Sequence, residues 1–217
     1  GEHDMWGKAA NFETSARVAL IMAAPGRKGN GKSANGLVEF VDIYPTLCEL
    51  ANLPLPSHLQ GLSAVPLLND PSKTWKIAAF TQSPSPALRE WAGRPLDAVM
   101  SKVFQPLLEP VYKKIQAMDP DDYSPEKYNQ HVTGYSMRTA RYRFTYWCDD
   151  RTPDKPLAVE VYDHQNDPYE NTNIAPQSPE LVKQLTQQWR EGWRKALPPV
   201  KVNLQSLKKH KPNEKLL

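Results

Sequence analysis

The sequence predicts an α/β protein in which a mixed helix-and-strand part is followed by a small antiparallel sheet closed by one helix. Two short apolar runs, 17–23 and 76–81, have the length and composition of buried strands in an α/β sheet. After residue 130 the strand-like segments are rich in aromatic and β-branched residues, which favours antiparallel pairing. We therefore expect a domain boundary there, with 1–130 as the α/β part and 131–217 as the small-sheet part.

Composition limits the functions that the chain can have. Its 217 residues suffice for one good core, or for a medium domain with a small appended one. The net charge of +3 is too small to argue for nucleic acid binding, which needs a clustered basic face. No run of about eighteen apolar residues is present, so we expect no transmembrane segment. The 21 prolines predict long ordered loops between short elements.

The sequence contains two cysteines, Cys48 and Cys148. They lie far apart, and Cys48 falls within an apolar helical pattern, so we predict two buried free thiols rather than a disulfide. No spacing of cysteine and histidine suits zinc.

The spacing of apolar residues within 36–56 predicts a helix that packs against the core. Asp42 can cap its start by accepting from the free amides of the first turn, where Pro45 is also tolerated. The apolar residues that recur at helical spacing, and that we expect to face the core, are Ile43, Leu47, Leu50 and Ala51.

Residues 96–118 also have helical spacing, but Pro106 and Pro110 interrupt it, so we expect broken helical pieces. The acidic, proline-bearing run 119–128 predicts a surface loop.

The carboxy-terminal part predicts a meander of strands over 132–139, 141–147 and 158–162. Ser178 and Pro179 then mark the start of a final helix, which has Leu181, Leu185 and Trp189 along one face. The basic residues beyond Pro198 predict a solvated tail, with docking to an acidic polymer as the minor alternative.

The first thirteen residues, GEHDMWGKAANFE, concentrate charged and aromatic side chains where a natural amino terminus is more often polar and loose. We interpret them as a piece of an active site, and the chain as the carboxy-terminal portion of a larger enzyme. In this interpretation Lys8 reaches into a site whose other half is contributed by polypeptide outside this chain.

Five segments, in the right order, resemble segments of the type I (formylglycine-dependent) sulfatases. They are GEHDMWGKAANFETSARVALI, VDIYPTLCELANLPLP, LQGLSAVPLL, GYSMRTARYRFTYW and EVYDHQNDPYENTNIA. The resemblance covers most of the chain apart from roughly 84–130. The motifs GEHDMWGK and GYSMRT are most similar to the iduronate-2-sulfatase-like subgroup.

This resemblance implies the carboxy-terminal part of an alkaline-phosphatase-like (sulfatase) fold: the end of the large mixed sheet with its helices, then the small sheet. It implies sulfate ester hydrolysis in glycosaminoglycan or other sulfated glycan degradation. The formylglycine nucleophile and the Ca²⁺ site would both lie outside this chain, in an amino-terminal portion that acts as its partner. Sulfatases of this type are usually exported, so a periplasmic, secreted or lysosomal location is expected.

The resemblance carries one catalytic residue over to this sequence. Lys8 matches the family lysine that contacts the substrate sulfate, so it is both the catalytic and the main substrate-binding candidate. His3 is a second substrate-binding candidate, which could donate to the sulfate or to a sugar hydroxyl, or instead hydrogen-bond a loop. Trp6 is expected to pack beneath the site, with contact to the substrate as the minor alternative.

The remaining charged residues favour structural roles. We expect Glu13 to pair with Arg17, and Arg138 and Arg141 to pair with acids rather than to face a glycan. The acids of the later turn do not have the spacing of an EF-hand and are expected to shape that turn: Asp163, Asp167 and Glu170. No residue of this chain is predicted to bind a metal.

The sequence also departs from the family pattern. Neither cysteine lies in a Cys/Ser-x-Pro-x-Arg segment, and the paired amino-terminal aspartates are absent. We therefore expect the chain alone to be inactive, to bind calcium weakly and to expose unpaired edges. Two alternatives stay open: another hydrolase of the superfamily, either choline-sulfatase-like or a phosphonate ester hydrolase, and a non-catalytic module that binds acidic glycans through its basic tail.

Overall fold

The computed structural model describes residues 2–4, 10–84 and 98–198. Lys8, Trp6 and the basic tail lie outside these described residues. The chain divides into two compact units, each with its own packing. The first contains Gly1–Val18 and Phe80–Arg190, and the second contains Ala19–Ala79 and Glu191–Leu217.

A four-stranded sheet organises the first unit. Its strands, in spatial order, are β1 (Ala78–Pro84), β2 (Val132–Thr139), β3 (Tyr142–Asp149) and β4 (Pro156–Asp163). Strands β2 and β3 pair antiparallel, as do β3 and β4. The predicted meander is therefore confirmed, and residues 140 and 141 make a tight connection between β2 and β3.

The α-helices of the described ranges are, in chain order, α1 (Glu13–Ala16), α2 (Ile43–Leu50), α3 (Val65–Asn69), α4 (Ala98–Met118) and α5 (Pro179–Glu191). Helix α5 closes the small sheet as predicted, and Pro179 occupies its first position. Leu185 is 2% exposed, and the Trp189 ring stacks on Tyr146 with the ring centroids 4.6 Å apart. The apolar face of α5 thus covers the middle of β3.

Helix α4 runs unbroken through both of its prolines, so the prediction of broken pieces was wrong. Pro106 and Pro110 each lack the N–H that would bond to the carbonyl four residues earlier, so the helix continues with two of its backbone hydrogen bonds missing. Val111 and Ile115 pack against the buried Tyr128 and hold the later turns of the helix in place. No described helix is long and apolar enough to cross a membrane.

The acidic loop that follows α4 surrounds a buried lysine. Lys127 Nζ lies 2.6 Å from Asp119 Oδ2 and 2.8 Å from Asp122 Oδ2, and its side chain is 2% exposed. The Tyr128 hydroxyl also donates to Asp119, at 2.8 Å. The hydrogen bond from Lys127 holds the pKa of Asp119 below its usual value, against the opposing effect of partial burial. The loop therefore has a charged interior that the sequence did not predict.

In the described structure, residues 17–24 form no strand. Ile21 is 92% exposed and Leu20 is 44% exposed. A strand needs a neighbour for its backbone donors and acceptors, and no described segment pairs with this one. The prediction of a buried strand over 17–23 is therefore wrong for the described structure, in which apolar residues of this segment are exposed.

Helix α2 forms as predicted, but with a different face inward. The buried residues are Pro45, Thr46 and Cys48, whereas Leu47 is 53% exposed and Tyr44 is 54% exposed. Because buried polar groups need partners, the hydrogen bonds of Thr46 fix the inward face more strongly than the apolar pattern does.

Asp42 does not cap α2, contrary to the prediction. Its carboxylate accepts from the backbone amides of Leu62, at 2.7 Å, and Glu39, at 2.9 Å. The Thr46 hydroxyl donates to the Asp42 carbonyl at 2.5 Å and accepts from the Ala64 amide at 2.8 Å. These bonds attach the loop before α3 to the start of α2.

Both cysteines are buried and free, as predicted. Cys48 lies on the inward face of α2 and is 6% exposed, and Cys148 lies in β3 and is 0% exposed. Burial raises the pKa of the Cys148 thiol to about 11, so this thiol stays protonated at neutral pH.

Candidate active-site segment

His3 is the predicted site residue that the structure describes, whereas Lys8 lies outside the described residues. His3 sits in a short 3₁₀ turn, Glu2–Asp4, with φ 56° and ψ 30°. Its ring stacks face to face on Phe12, with the centroids 3.8 Å apart and the planes 1° from parallel. The Phe12 ring in turn meets Tyr162 of β4 edge-on, at 5.8 Å. His3 is therefore held on a column of aromatic rings that begins on the small sheet.

Asn11 attaches the same segment to strands β1 and β2 of the sheet. Its side-chain amide donates to the Gly134 carbonyl at 2.8 Å, and its amide oxygen accepts from the Thr81 hydroxyl at 3.2 Å. A Cβ on Gly134 would lie 2.8 Å from the Trp147 ring and 2.9 Å from the Asn11 nitrogen. Glycine is therefore needed for Asn11 to approach β2 this closely.

Glu13, the first residue of α1, is bound through both its backbone and its side chain. The Glu13 amide donates to Glu170 Oε2 at 2.6 Å. Glu13 Oε2 accepts from Arg143 Nη2 at 2.5 Å and from Arg138 Nε at 3.2 Å. The predicted partner Arg17 is only a minor one, because its side chain is 79% exposed and lies 3.6 Å away.

Glu170 is the most enclosed acid of this group, with a side chain that is 0% exposed. Its Oε1 accepts from Arg143 Nε at 2.5 Å and from His164 Nε2 at 2.7 Å. The backbone of Glu170 has φ 59°, a left-handed conformation that costs a non-glycine residue about 1–2 kcal/mol. These side-chain bonds keep it in that conformation.

His164 completes the group in its neutral form. Arg138 Nη2 lies 2.9 Å from His164 Nδ1, and a guanidinium can only donate, so Nδ1 must accept. The proton of the neutral ring is then on Nε2, which donates to Glu170. We call these five residues the buried charge cluster: Glu13, Arg138, Arg143, His164 and Glu170. With two carboxylates, two guanidiniums and a neutral imidazole, it has no net charge.

The cluster changes the proton affinity of its own members. Burial by itself raises the pKa of Glu13, but the attraction of Arg138 and Arg143 outweighs it and holds this pKa below its usual value. Burial lowers the pKa of Arg138, and Glu13 offsets part of that effect. Both groups stay charged at neutral pH, so the ion pairs persist.

Three members of the cluster could in principle hold a metal ion. Glu13, His164 and Glu170 each have a ligand atom within 4.8 Å of the others. Calcium, however, takes about six to eight oxygen ligands, and these carboxylate oxygens already accept from two guanidiniums. Among the described residues, this group therefore fits a structural ion network better than a cation site.

The other predicted charged residues have structural partners. Arg141 binds Asp163 in a bidentate pair at 2.8 and 2.7 Å, as expected, and this pair lowers the pKa of Asp163 to about 2. Asp167 accepts from the Thr172 amide at 2.8 Å and shapes the turn after β4. Sequence reasoning missed Arg143, and its one signal was a basic residue placed between two aromatics inside a predicted strand.

A comparison with protein families finds a match that covers the amino-terminal segment with His3, Asn11 and Glu13. Residues 1–83 match the family described as N-sulphoglucosamine sulphohydrolase, C-terminal. The chain is similar to the carboxy-terminal region of sulfatases. This match includes His3, Lys8, Asn11 and Glu13, so the anchored segment lies inside the part of the chain that carries the similarity.

Curated relatives extend the similarity beyond residue 83. Arylsulfatase K of Rattus norvegicus is 30% identical over 189 residues, covering 87% of this chain and 26% of the relative. Arylsulfatase K of Homo sapiens is 28% identical over 188 residues, covering 86% of this chain and 27% of the relative. A solved phosphonate monoester hydrolase of Agrobacterium radiobacter aligns with 75% of this chain and 26% of its own, at 19% identity and TM-score 0.46. The chain thus spans about a quarter of the length of these relatives.

Proposed function

We propose that this chain is the carboxy-terminal part of a sulfatase that hydrolyses sulfate esters of glycans, of the iduronate-2-sulfatase-like kind. In this proposal Lys8 is catalytic and contacts the substrate sulfate, and His3 binds the substrate beside it. The observation that carries the proposal is the family match over residues 1–83, which begins in the segment that contains both residues.

The chemistry of sulfate ester cleavage explains the role given to Lys8. Negative charge builds on the leaving oxygen while the other sulfate oxygens stay anionic, so a fixed cation in a dry site stabilises the transition state. A lysine ammonium supplies a point charge with several donors. Arg138 and Arg143 of the buried charge cluster are neutralised by Glu13 and Glu170, which leaves them unsuited to bind a sulfate.

The nucleophile and the metal would come from the rest of the enzyme. In the type I sulfatases that the sequence resembles, a formylglycine attacks sulfur with the help of bound calcium. Neither cysteine of this chain lies in the Cys/Ser-x-Pro-x-Arg segment of that family, since Cys48 is followed by Glu-Leu-Ala and Cys148 by Asp-Asp-Arg. We propose that an amino-terminal portion of the same polypeptide supplies both groups and that the complete protein is exported.

The test compares two lysines in the complete polypeptide. Lys8→Ala is expected to lower kcat/KM toward a sulfated disaccharide by about 100-fold or more, the cost of losing one charge-stabilising group. The matched control is Lys183→Ala, in the exposed part of α5, which should retain wild-type kinetics. Equal activity of Lys8→Ala and wild type would overturn the role of Lys8. Metal-dependent turnover by the 217-residue chain alone would show that the nucleophile is not supplied by polypeptide outside this chain.

Two further measurements separate this proposal from the alternatives. A complete protein that cleaves phosphonate or phosphate diesters faster than sulfate esters would belong to another hydrolase class. Retention on a heparin column that survives Lys8→Ala but disappears when residues 201–217 are removed would instead favour a glycan-binding module.

A further inference from the structure

We infer that the buried charge cluster is a positioning device: it fixes the segment 11–13 on the small sheet and thereby fixes the ring of His3. Glu13, His164 and Glu170 are then positioning residues, because they act through the segment and do not touch the substrate. The inference rests on the proposed function for the role of His3, but the contacts on which it depends belong to the described structure.

The first step is the attachment of Glu13. Its amide donates to Glu170, and its carboxylate accepts from Arg143 and Arg138, so both its backbone and its side chain are oriented. Arg143 bridges the two acids, with Nη2 on Glu13 and Nε on Glu170. A planar guanidinium that binds two carboxylates in this way sets the distance between α1 and the turn after β4.

The second step leads from Glu13 to His3. Phe12 is the preceding residue, so its backbone moves with that of Glu13. The His3 ring lies 3.8 Å above the Phe12 ring and parallel to it, and Tyr162 meets Phe12 edge-on. A shift of the segment would therefore move the imidazole of His3. In the sequence, Lys8 lies between His3 and the anchored Asn11.

The third step concerns the backbone at the two ends of this series of contacts, which runs from Glu170 through Glu13 and Phe12 to His3. His3 has φ 56° and Glu170 has φ 59°, and the described ranges contain a single further non-glycine residue with positive φ, Asn52. Such conformations persist where the surrounding contacts over-determine them, and they concentrate at functional sites.

The composition of the cluster favours positioning over stability alone. Apolar residues of similar volume often replace a buried ion network without loss of stability, so stability does not require one here. Hydrogen bonds between charged groups, in contrast, define directions as well as distances. The cluster also lacks net charge, so it can lie near an anionic substrate without attracting it away from Lys8.

The experiment compares two cluster variants, Glu13→Gln and Glu170→Gln, with a matched control. The control is Asp119→Asn, which removes one acid from the buried ion pair of Lys127 in the same unit; the described side-chain bonds of Asp119 go to Lys127 and Tyr128. Proton NMR of the 217-residue chain reports the position of His3, because the face of Phe12 shifts the His3 ring protons upfield. The signal is assigned with His3→Gln.

In the cluster variants we expect the upfield shift of the His3 protons to disappear, while Asp119→Asn keeps it. In the complete enzyme the same variants should lower kcat/KM by about tenfold to 100-fold, with a rise in KM. A merely structural defect lowers the amount of folded enzyme and so lowers apparent kcat without changing KM. The rise in KM therefore distinguishes positioning from stability.

His164 offers a test by conservative replacement. His164→Gln keeps a neutral donor for Glu170 and an acceptor for Arg138, whereas His164→Leu removes both. We therefore expect KM to rise in His164→Leu and to stay near the wild-type value in His164→Gln.

Cluster variants that fold but keep the wild-type His3 shift and KM would overturn the inference and leave the proposed function intact. A complete wild-type protein that cleaves no sulfate ester would overturn the proposed function, while the NMR comparison would still decide whether the cluster positions His3.

Discussion

The ammonium of Lys76 lies 2.8 and 2.7 Å from the two carboxylate oxygens of Asp42, and the two side chains are 4% and 0% exposed. Glu39 Oε2 binds the same ammonium at 2.7 Å. Asp42 also accepts from the Leu62 amide, so this ion group joins the start of α2, the loop before α3 and the segment that precedes β1 within the second unit. It connects separate segments of the second unit, as the buried charge cluster connects α1 with the turn after β4 in the first.

Lys76→Met should strongly destabilise the chain. It leaves the Asp42 carboxylate buried without its cation, and breaking a buried pair from one side typically costs about 3–5 kcal/mol. Urea denaturation followed by circular dichroism gives the change in free energy of unfolding. Lys73→Met, at an exposed position, should leave that free energy nearly unchanged. A double variant, Lys76→Met with Asp42→Asn, should recover part of the loss, and failure to do so would contradict the pairing.

Glu13 should make the chain sensitive to acid. Its pKa is lower in the folded state than in the unfolded state, because Arg138 and Arg143 outweigh the effect of burial. A depressed carboxyl pKa contributes stability that is complete above the unfolded value of about 4.3 and is lost as the pH falls further. Thermal unfolding between pH 7 and pH 3 measures this dependence, and Glu13→Gln should flatten it. Glu180→Gln, an exposed acid in the first turn of α5, should not.

Local patterns in the sequence were sufficient for the carboxy-terminal meander. The strands β2 to β4 and helix α5 follow from aromatic and β-branched alternation and from Pro179 after Ser178, which are signals within ten residues of one another. The inward face of α2 did not follow, because it depends on the Ala64 amide and on Lys76, which lie 18 and 34 residues from their partners. Single-sequence periodicity contains no information about such distant polar contacts.

The candidate site also contains features that local motifs predicted and features that depend on contacts between distant residues. His3 and Lys8 were predicted as site residues from the motif that contains them, and their roles stay predictions. The pair of Arg141 with Asp163 followed the expected pairing of an arginine with an acid. The buried charge cluster was missed, because Glu13 bonds to Arg143 and Glu170 across 130 and 157 residues. An arginine inside a strand, such as Arg143, indicates that a buried acid must pair with it, but the sequence does not show which acid this is.

Cys148 should resist alkylation in the folded chain. The thiolate is the reactive form, and burial raises the pKa of this thiol to about 11, so almost none is present at neutral pH. Mass spectrometry after iodoacetamide treatment at pH 8 should find Cys148 unmodified until urea unfolds the protein. Modification in the native state at the rate of a free cysteine peptide would show that β3 opens. The variant Cys148→Ala identifies the modified peptide.

Tyr146→Phe should leave the chain as stable as before, or make it more stable. The Tyr146 hydroxyl is buried, and no described group hydrogen-bonds to it, so the folded state bears an uncompensated desolvation cost. Its ring stacks on Trp189, and phenylalanine keeps that contact. The matched control is Tyr128→Phe, which removes a hydrogen bond to Asp119 and should cost about 1 kcal/mol. Urea denaturation of both variants gives the comparison. A loss at Tyr146 as large as that at Tyr128 would mean that the Tyr146 hydroxyl has a partner in solution, either ordered water or a residue outside the described ranges.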